Sequence, residues 1–158
     1  MDADTNDLLT RLAADEERLV FEGFDEDDAW RLGSLLVERA RAAGLPVAIA
    51  IRRNGQRLFH AALPGSVADH DHWLQSKMNV VDRFGHSSYL VGTQWSAGGG
   101  NFDVDARVDP RTHAAHGGAF PVRVRGVGVV GAVAVSGLPQ ADDHALVVDT
   151  LTEFLAGR

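Results

Sequence analysis

The sequence contains no cysteine and a single lysine, Lys77. Without thiols it has no disulfide, thiolate nucleophile, zinc–thiolate site or iron–sulfur cluster. The other strongly basic side chains are arginines scattered along a chain of net charge −7. A nucleic-acid surface needs a concentrated basic patch, so no nucleic-acid partner is expected. The N-terminal run Met1 to Leu12 is acidic and lacks the basic start and apolar core of a signal peptide. The longest apolar stretch, Val127 to Val135, falls far short of the ~20 residues that cross a bilayer. No membrane association and a cytoplasmic location are the resulting expectations. No Gly-x-Ser-x-Gly elbow, Walker loop or His-Glu-x-x-His helix occurs. Gly98-Gly99-Gly100 lacks the following lysine of a phosphate loop. With no recognisable catalytic motif, the reading leans away from an enzyme, and no catalytic residue or metal site is assigned.

What is present suits one folded domain over residues 1–158. Hydrophobic residues make up 45% of the 158, enough for a core of ordinary domain size. Residues 1–4 read as a frayed end, and Leu8, Leu9 and Leu12 as a first short helix reaching Arg18. The run from Leu19 to Phe24 breaks that pattern and suits a short strand. Asp25 and the acids after it open a helix over 25–43, with Ala29, Leu32, Leu36, Ala40 and Ala43 on one face and Gly44 as its stop. Asn54-Gly55 is the favoured pair for a two-residue hairpin turn. Its register pairs Arg53 with Gln56, Arg52 with Arg57, Ile51 with Leu58 and Ile49 with His60. His60 then shares a face with Ile49 and Leu58, opposite Ala48, Ala50 and Phe59.

Asp69 or Asp71 caps a helix through about Arg83, and Ser87 or Ser88 caps another that ends at Gly98. Pro110 begins a short turn holding Thr112 to Ala115. Strands on either side of Gly126 form a second hairpin, with Val127, Val129, Val133 and Val135 on one face. Residues 139–156 form a closing helix with Ala145, Val148, Leu151 and Leu155 as its apolar stripe. Consecutive hairpins between helices point to an α+β fold with a mostly antiparallel sheet.

Several segments resemble the haem-degrading-domain family, which includes GlcG, HbpS and the C-terminal domain of PduO-type proteins. They are His116-Gly117-Gly118-Ala119-Phe120-Pro121-Val122, Gly126-Val127-Gly128-Val129-Val130-Gly131-Ala132, Val135-Ser136-Gly137 and the pair Asp142-Asp143. Phe24 to Asp27 and Arg83 to Ser88 look like an uncharacterised small-protein branch of that family. The resemblance spans roughly residues 15–156. It implies a profilin-like layered domain with about five strands, a homo-oligomer, and haem or another small molecule as ligand.

The candidate ligand-binding residues are Arg83, His86, Ser87, His113, His116 and Arg123. Arg83, His86, Ser87 and Ser88 cluster at a helix start, where free N–H groups and hydroxyls suit an anion. The same residues also suit a capping hinge between two helices. His113 and His116 are spaced to share one side of a helical turn, and His116 is the candidate axial ligand for haem. They equally suit a loop closing over the sheet end. Arg123 and Arg125 fit ligand carboxylates, a solvated strand face or a subunit salt bridge. His60 reads as a core or interface histidine. His70 and His72, alternating with Asp69 and Asp71, read as a solvated loop and helix cap, and His144 as a candidate neighbour of His116. Three functions remain open: an oligomeric binder of an acidic or planar ligand, a haem-binding protein promoting haem breakdown, or a non-catalytic adaptor.

Overall fold

The computed structural model describes residues 2–158. The fold is α+β, with six helices and one four-stranded antiparallel sheet. In chain order the elements are α1 (Ala3–Arg18), α2 (Glu26–Ala42), β1 (Ala48–Arg53), β2 (Gln56–Ala62), α3 (Ala68–Phe84), α4 (Ser88–Ala97), α5 (Phe102–Asp105), β3 (Ala119–Val124), β4 (Gly128–Ser136) and α6 (Gln140–Ala156). The strands lie in the order β2-β1-β4-β3.

The sheet has four strands rather than about five. The segment after α1 contributes a single parallel bridge, in which Phe21 N–H donates to the Arg123 carbonyl and Arg125 N–H to the Phe21 carbonyl, each at 2.8 Å. Glu22 and Gly23 then turn the chain toward α2, and no second pair forms. The N-terminus also differs from expectation. Asp2 caps α1 by accepting from Thr5 N–H at 2.7 Å, so order begins ahead of Leu8.

Helix α2 begins where its acids place it. Asp25 accepts from Asp28 N–H at 2.8 Å, and the Asp28 carboxylate accepts from Asp25 N–H at 2.9 Å. This reciprocal cap satisfies donors that every helix start leaves free. Ala29, Leu32, Leu36 and Ala40 face inward without exposure. They meet Ile49, Ile51, Val133 and Val135 of the sheet and Val147 and Leu151 of α6. In α6, Ala145 is exposed while Val147 is buried, so its apolar stripe is turned relative to the expected one.

Helix α3 covers the opposite face. There the sheet presents Ala48, Ala50, Ala119, Ala132 and Ala134 to Leu74, Met78 and Val81. Small side chains bring the helix close, and each large residue so buried contributes about 1.5–3 kcal/mol. Gly131 marks the tightest place between strands, since a Cβ there would strike the Arg52 carbonyl oxygen.

Two irregularities overturn the expected faces. The turn sits at Asn54-Gly55, both at positive φ, and Arg53 pairs with Gln56 and Arg52 with Arg57. The register then slips, so Ile51 faces Phe59 and Ala50 faces His60. Such a bulge sends every following side chain to the other face. Phe59 joins the α2 side, edge-on to Trp30, while His60 reaches Asp71 of α3 with Nε2 to Oδ1 at 2.7 Å. His60 is thus an exposed partner of a helix acid rather than a core histidine. A second slip between Val122 and Arg123 puts Val129 on the α3 side and Val130 on the α2 side.

Candidate functional site

The six candidate residues separate into two groups and one outlier. Ser87 caps α4, its Oγ accepting from Leu90 N–H at 3.1 Å. His86 and Arg123 converge beside it on Glu16 of α1, a carboxylate only 5% exposed. His86 Nδ1 lies 2.9 Å from Glu16 Oε1, Ser87 N–H donates to Oε2 at 3.3 Å, and Arg123 stands 3.9 Å from Oε1. Arg123 also donates to the Gly85 carbonyl at 3.0 Å. The chain therefore fills this anion-seeking cluster with its own carboxylate. The cleft beside it, about 350 Å³, has Ala13, Val20 and Leu90 among its walls. Arg83 is exposed and takes no part. Arg125 pairs instead with Glu22 at 2.8 Å.

His113 and His116 form the second group. Asp109 initiates a turn through Pro110, its carbonyl accepting from the N–H of Thr112 at 3.1 Å and of His113 at 3.0 Å. The His113 Nδ1 lies 3.0 Å from Thr112 Oγ1 and 3.3 Å from the Asp109 carbonyl oxygen. A hydrogen bond from Nδ1–H to that carbonyl leaves the lone pair on Nε2, the usual arrangement of a ligating imidazole. The His116 ring meets the Trp73 indole edge-on, with centroids 5.6 Å apart. His116 is exposed, and its ring nitrogens hold no hydrogen bond among the described residues.

Three clefts meet at His116. The first, about 300 Å³, lies between α3 and the Asp109–His116 loop and includes His72, Trp73, Asp103, Arg111, His113 and His116. The second, about 290 Å³, includes Trp73, Lys77, His116, Gln140 and Asp143. The third, about 440 Å³, runs toward α1 past Tyr89, Gly92 and Ala115. Sequence reasoning missed Trp73, which lies in a mixed helical pattern, and Arg111, whose loop gave little positional signal. No group of three or more His, Asp or Glu side chains is arranged to hold a metal ion among the described residues.

Beneath the second cleft lies an ion pair that the sequence did not advertise. Lys77 Nζ donates to Asp143 Oδ2 at 3.1 Å and to the Val135 carbonyl at 3.3 Å. Burial pushes the Lys77 ammonium down from its usual value, and burial likewise raises the Asp143 carboxyl. His144 does not join His116. It packs among Tyr89 and Phe120, and neither ring nitrogen has a partner. Burial lowers its pKa to about 4. His70 caps α3, its Nδ1 accepting from Val67 N–H at 3.0 Å.

Residues 24–152, from the cap of α2 to late in α6, match the family model described as haem degrading protein HbpS-like. The chain belongs to this family. A UPF0303 protein of Streptomyces coelicolor is 58% identical over 153 residues, covering 97% of each chain. The crystal structure of Ybr137w protein superimposes with a TM-score of 0.86 at 32% identity, covering 94% of this chain and 88% of that one. A crystal structure of a PduOC:Heme complex shares the fold, with a TM-score of 0.70 at 15% identity over 82% of this chain and 94% of that one. Helix α1, which brings Glu16 to His86, precedes the matched family segment. No helix among the described residues is long and apolar enough to cross a membrane.

Proposed function

We propose that this HbpS-like chain binds a small planar acidic molecule in the first cleft, between α3 and the Asp109–His116 loop. The observation that carries the reading is the open pairing of Trp73 with His116, whose imidazole nitrogens are free. The indole and the imidazoles offer apolar, polarisable contact to a flat ligand. The Arg111 guanidinium, exposed and paired at 3.3 Å with Asp109, would exchange that weak surface partner for the ligand's carboxylate. The volume, near 300 Å³, sits at the lower end of small-molecule sites, so a larger ligand would protrude into solvent or against a second subunit. A homo-oligomer is part of this reading. Trp30, exposed at 66%, and Val127, exposed at 72%, supply apolar surface that a neighbour would cover. A cytoplasmic setting is part of the same reading.

Haem is the planar acid favoured by a specific feature, the unengaged His116 imidazole. His116 would ligate the iron, with His113 as the alternative ligand, Trp73 against the macrocycle and Arg111 toward a propionate. The group would supply the redox chemistry of its iron, and the chain the ligand, orientation and partial shielding. Promotion of haem breakdown belongs to this second reading, which the family description supports.

Titration with iron-free protoporphyrin, followed by its fluorescence, separates planar-acid binding from iron ligation. A saturable signal that weakens at least tenfold in Trp73→Ala is expected. Absence of saturation with both protoporphyrin and hemin would overturn both readings.

A further inference from the structure

Lys77 is the chain's single lysine, and α3 holds it out of water at 3% exposure. An ammonium has three N–H donors. Two are taken, by Asp143 Oδ2 and by the Val135 carbonyl, and no third partner is present among the described residues. The side chain lines the second cleft, about 290 Å³, alongside Trp73, His116 and Ser136. Gly118 leaves room at the amine, because a Cβ there would stand 2.7 Å from Nζ. Asp143 is equally fixed. Its Oδ1 accepts from Leu138 N–H at 3.0 Å and its Oδ2 from Gly137 N–H at 3.4 Å.

We propose that Lys77 is an imine-forming amine that captures a small aldehyde entering this cleft, with Asp143 carrying the protons. A buried lysine beside a carboxyl group at the wall of a cleft has the components of amine catalysis on carbonyl compounds. Burial drives the two groups the same way, toward a neutral amine and a neutral acid. The Nζ lone pair forms the C–N bond while the carbonyl π pair moves to oxygen, which takes the Asp143 proton. Asp143 then recovers a proton from the nitrogen and returns it to the departing hydroxyl, which leaves as water. Loss of water leaves a protonated imine beside the Asp143 carboxylate, which takes the last proton from nitrogen; the sum is amine plus aldehyde giving imine plus water, with no oxidant or reductant. The cleft, about 290 Å³, admits an aldehyde of a few carbons. An ion pair tying α3 to α6 is the plainer role for the same residues, and it requires no reactivity.

The test uses the intact folded chain at pH 7 with propionaldehyde and cyanoborohydride, which reduces any imine to a stable secondary amine. Nα-acetyl-lysine amide in the same tube is the reference, and peptide mass mapping locates the adducts. Because no other lysine exists, the N-terminal amine is the one competing site and reports that the reagent is active. Lys77 is expected to be trapped faster than the reference amine, since a lowered pKa leaves more of the amine free at pH 7. Denaturation in guanidinium chloride should return it to the reference rate. Lys77→Arg should leave the N-terminal adduct alone. Trapping at or below the reference rate in the folded chain, with the N-terminus labelled, would overturn the proposal. The two clefts share Trp73 and His116, but trapping at Lys77 is read by adduct mass and porphyrin binding by fluorescence, so the failure of one is distinguishable from the failure of the other.

Discussion

Replacing His144 with phenylalanine should stabilise the protein, and increasingly so as the pH falls. The imidazole is buried against Tyr89 and Phe120 with neither nitrogen hydrogen-bonded. An unsatisfied buried polar group costs about 1–3 kcal/mol, so an apolar ring of similar shape should gain roughly 1–2 kcal/mol at pH 7. Acid adds a second contribution. The folded state holds His144 at about 4 against a usual 6.5, with burial the main cause and Asp15 partly opposing it. Between those values the unfolded chain binds the proton and the folded chain does not, so stability falls as pH drops from 6.5 toward 4. At ~1.4 kcal/mol per pKa unit, the loss at pH 4.5 is about 2.5 kcal/mol. His144→Phe abolishes that loss, and comparison with the parent cancels the contributions of Lys77 and Asp143. Urea unfolding at pH 7 and pH 4.5 measures both quantities. A variant advantage that does not widen in acid would refute the reasoning, as would a variant less stable at both pH values.

Two further predictions concern other parts of the fold. Glu16→Ala removes the carboxylate that occupies His86, Ser87 N–H and Arg123, so sulfate should raise the variant's melting temperature more than the parent's; equal shifts would show that the cluster is not an anion site. Gly131→Ala places a methyl against the Arg52 carbonyl at the β1–β4 pairing and should cost about 3 kcal/mol by overpacking; a loss below about 1 kcal/mol in urea unfolding would mean that the strands part easily there.

Much of the architecture was legible because local signals agreed with the global fold. The Asp25 cap, the Asn54-Gly55 turn and the Ser87 cap each lie where their side-chain chemistry requires. The faces of the hairpins were less legible. Alternation assumes an unbroken ladder, and the slip beyond Arg52 moved Phe59 to α2 and His60 to Asp71. No residue near Leu58 announces that slip, which is set by packing Phe59 against Gly33 and Trp30. The candidate site was half legible. His113 and His116 share a cleft, but His86 and Arg123 are sealed by Glu16, a carboxylate from α1 some 70 residues before His86 in the chain. Lys77 and Asp143 lie far apart in the chain, and only the packing of α3 and of α6 against β4 brings them together.

The most direct measurement is a hemin titration followed by the Soret band, with His116→Ala and His86→Ala beside the parent. The account predicts a saturable, shifted band in the parent, retained in His86→Ala because Glu16 already occupies that cluster, and lost or strongly altered in His116→Ala. A band lost in His86→Ala and kept in His116→Ala would contradict the placement of the site at the Trp73–His116 cleft.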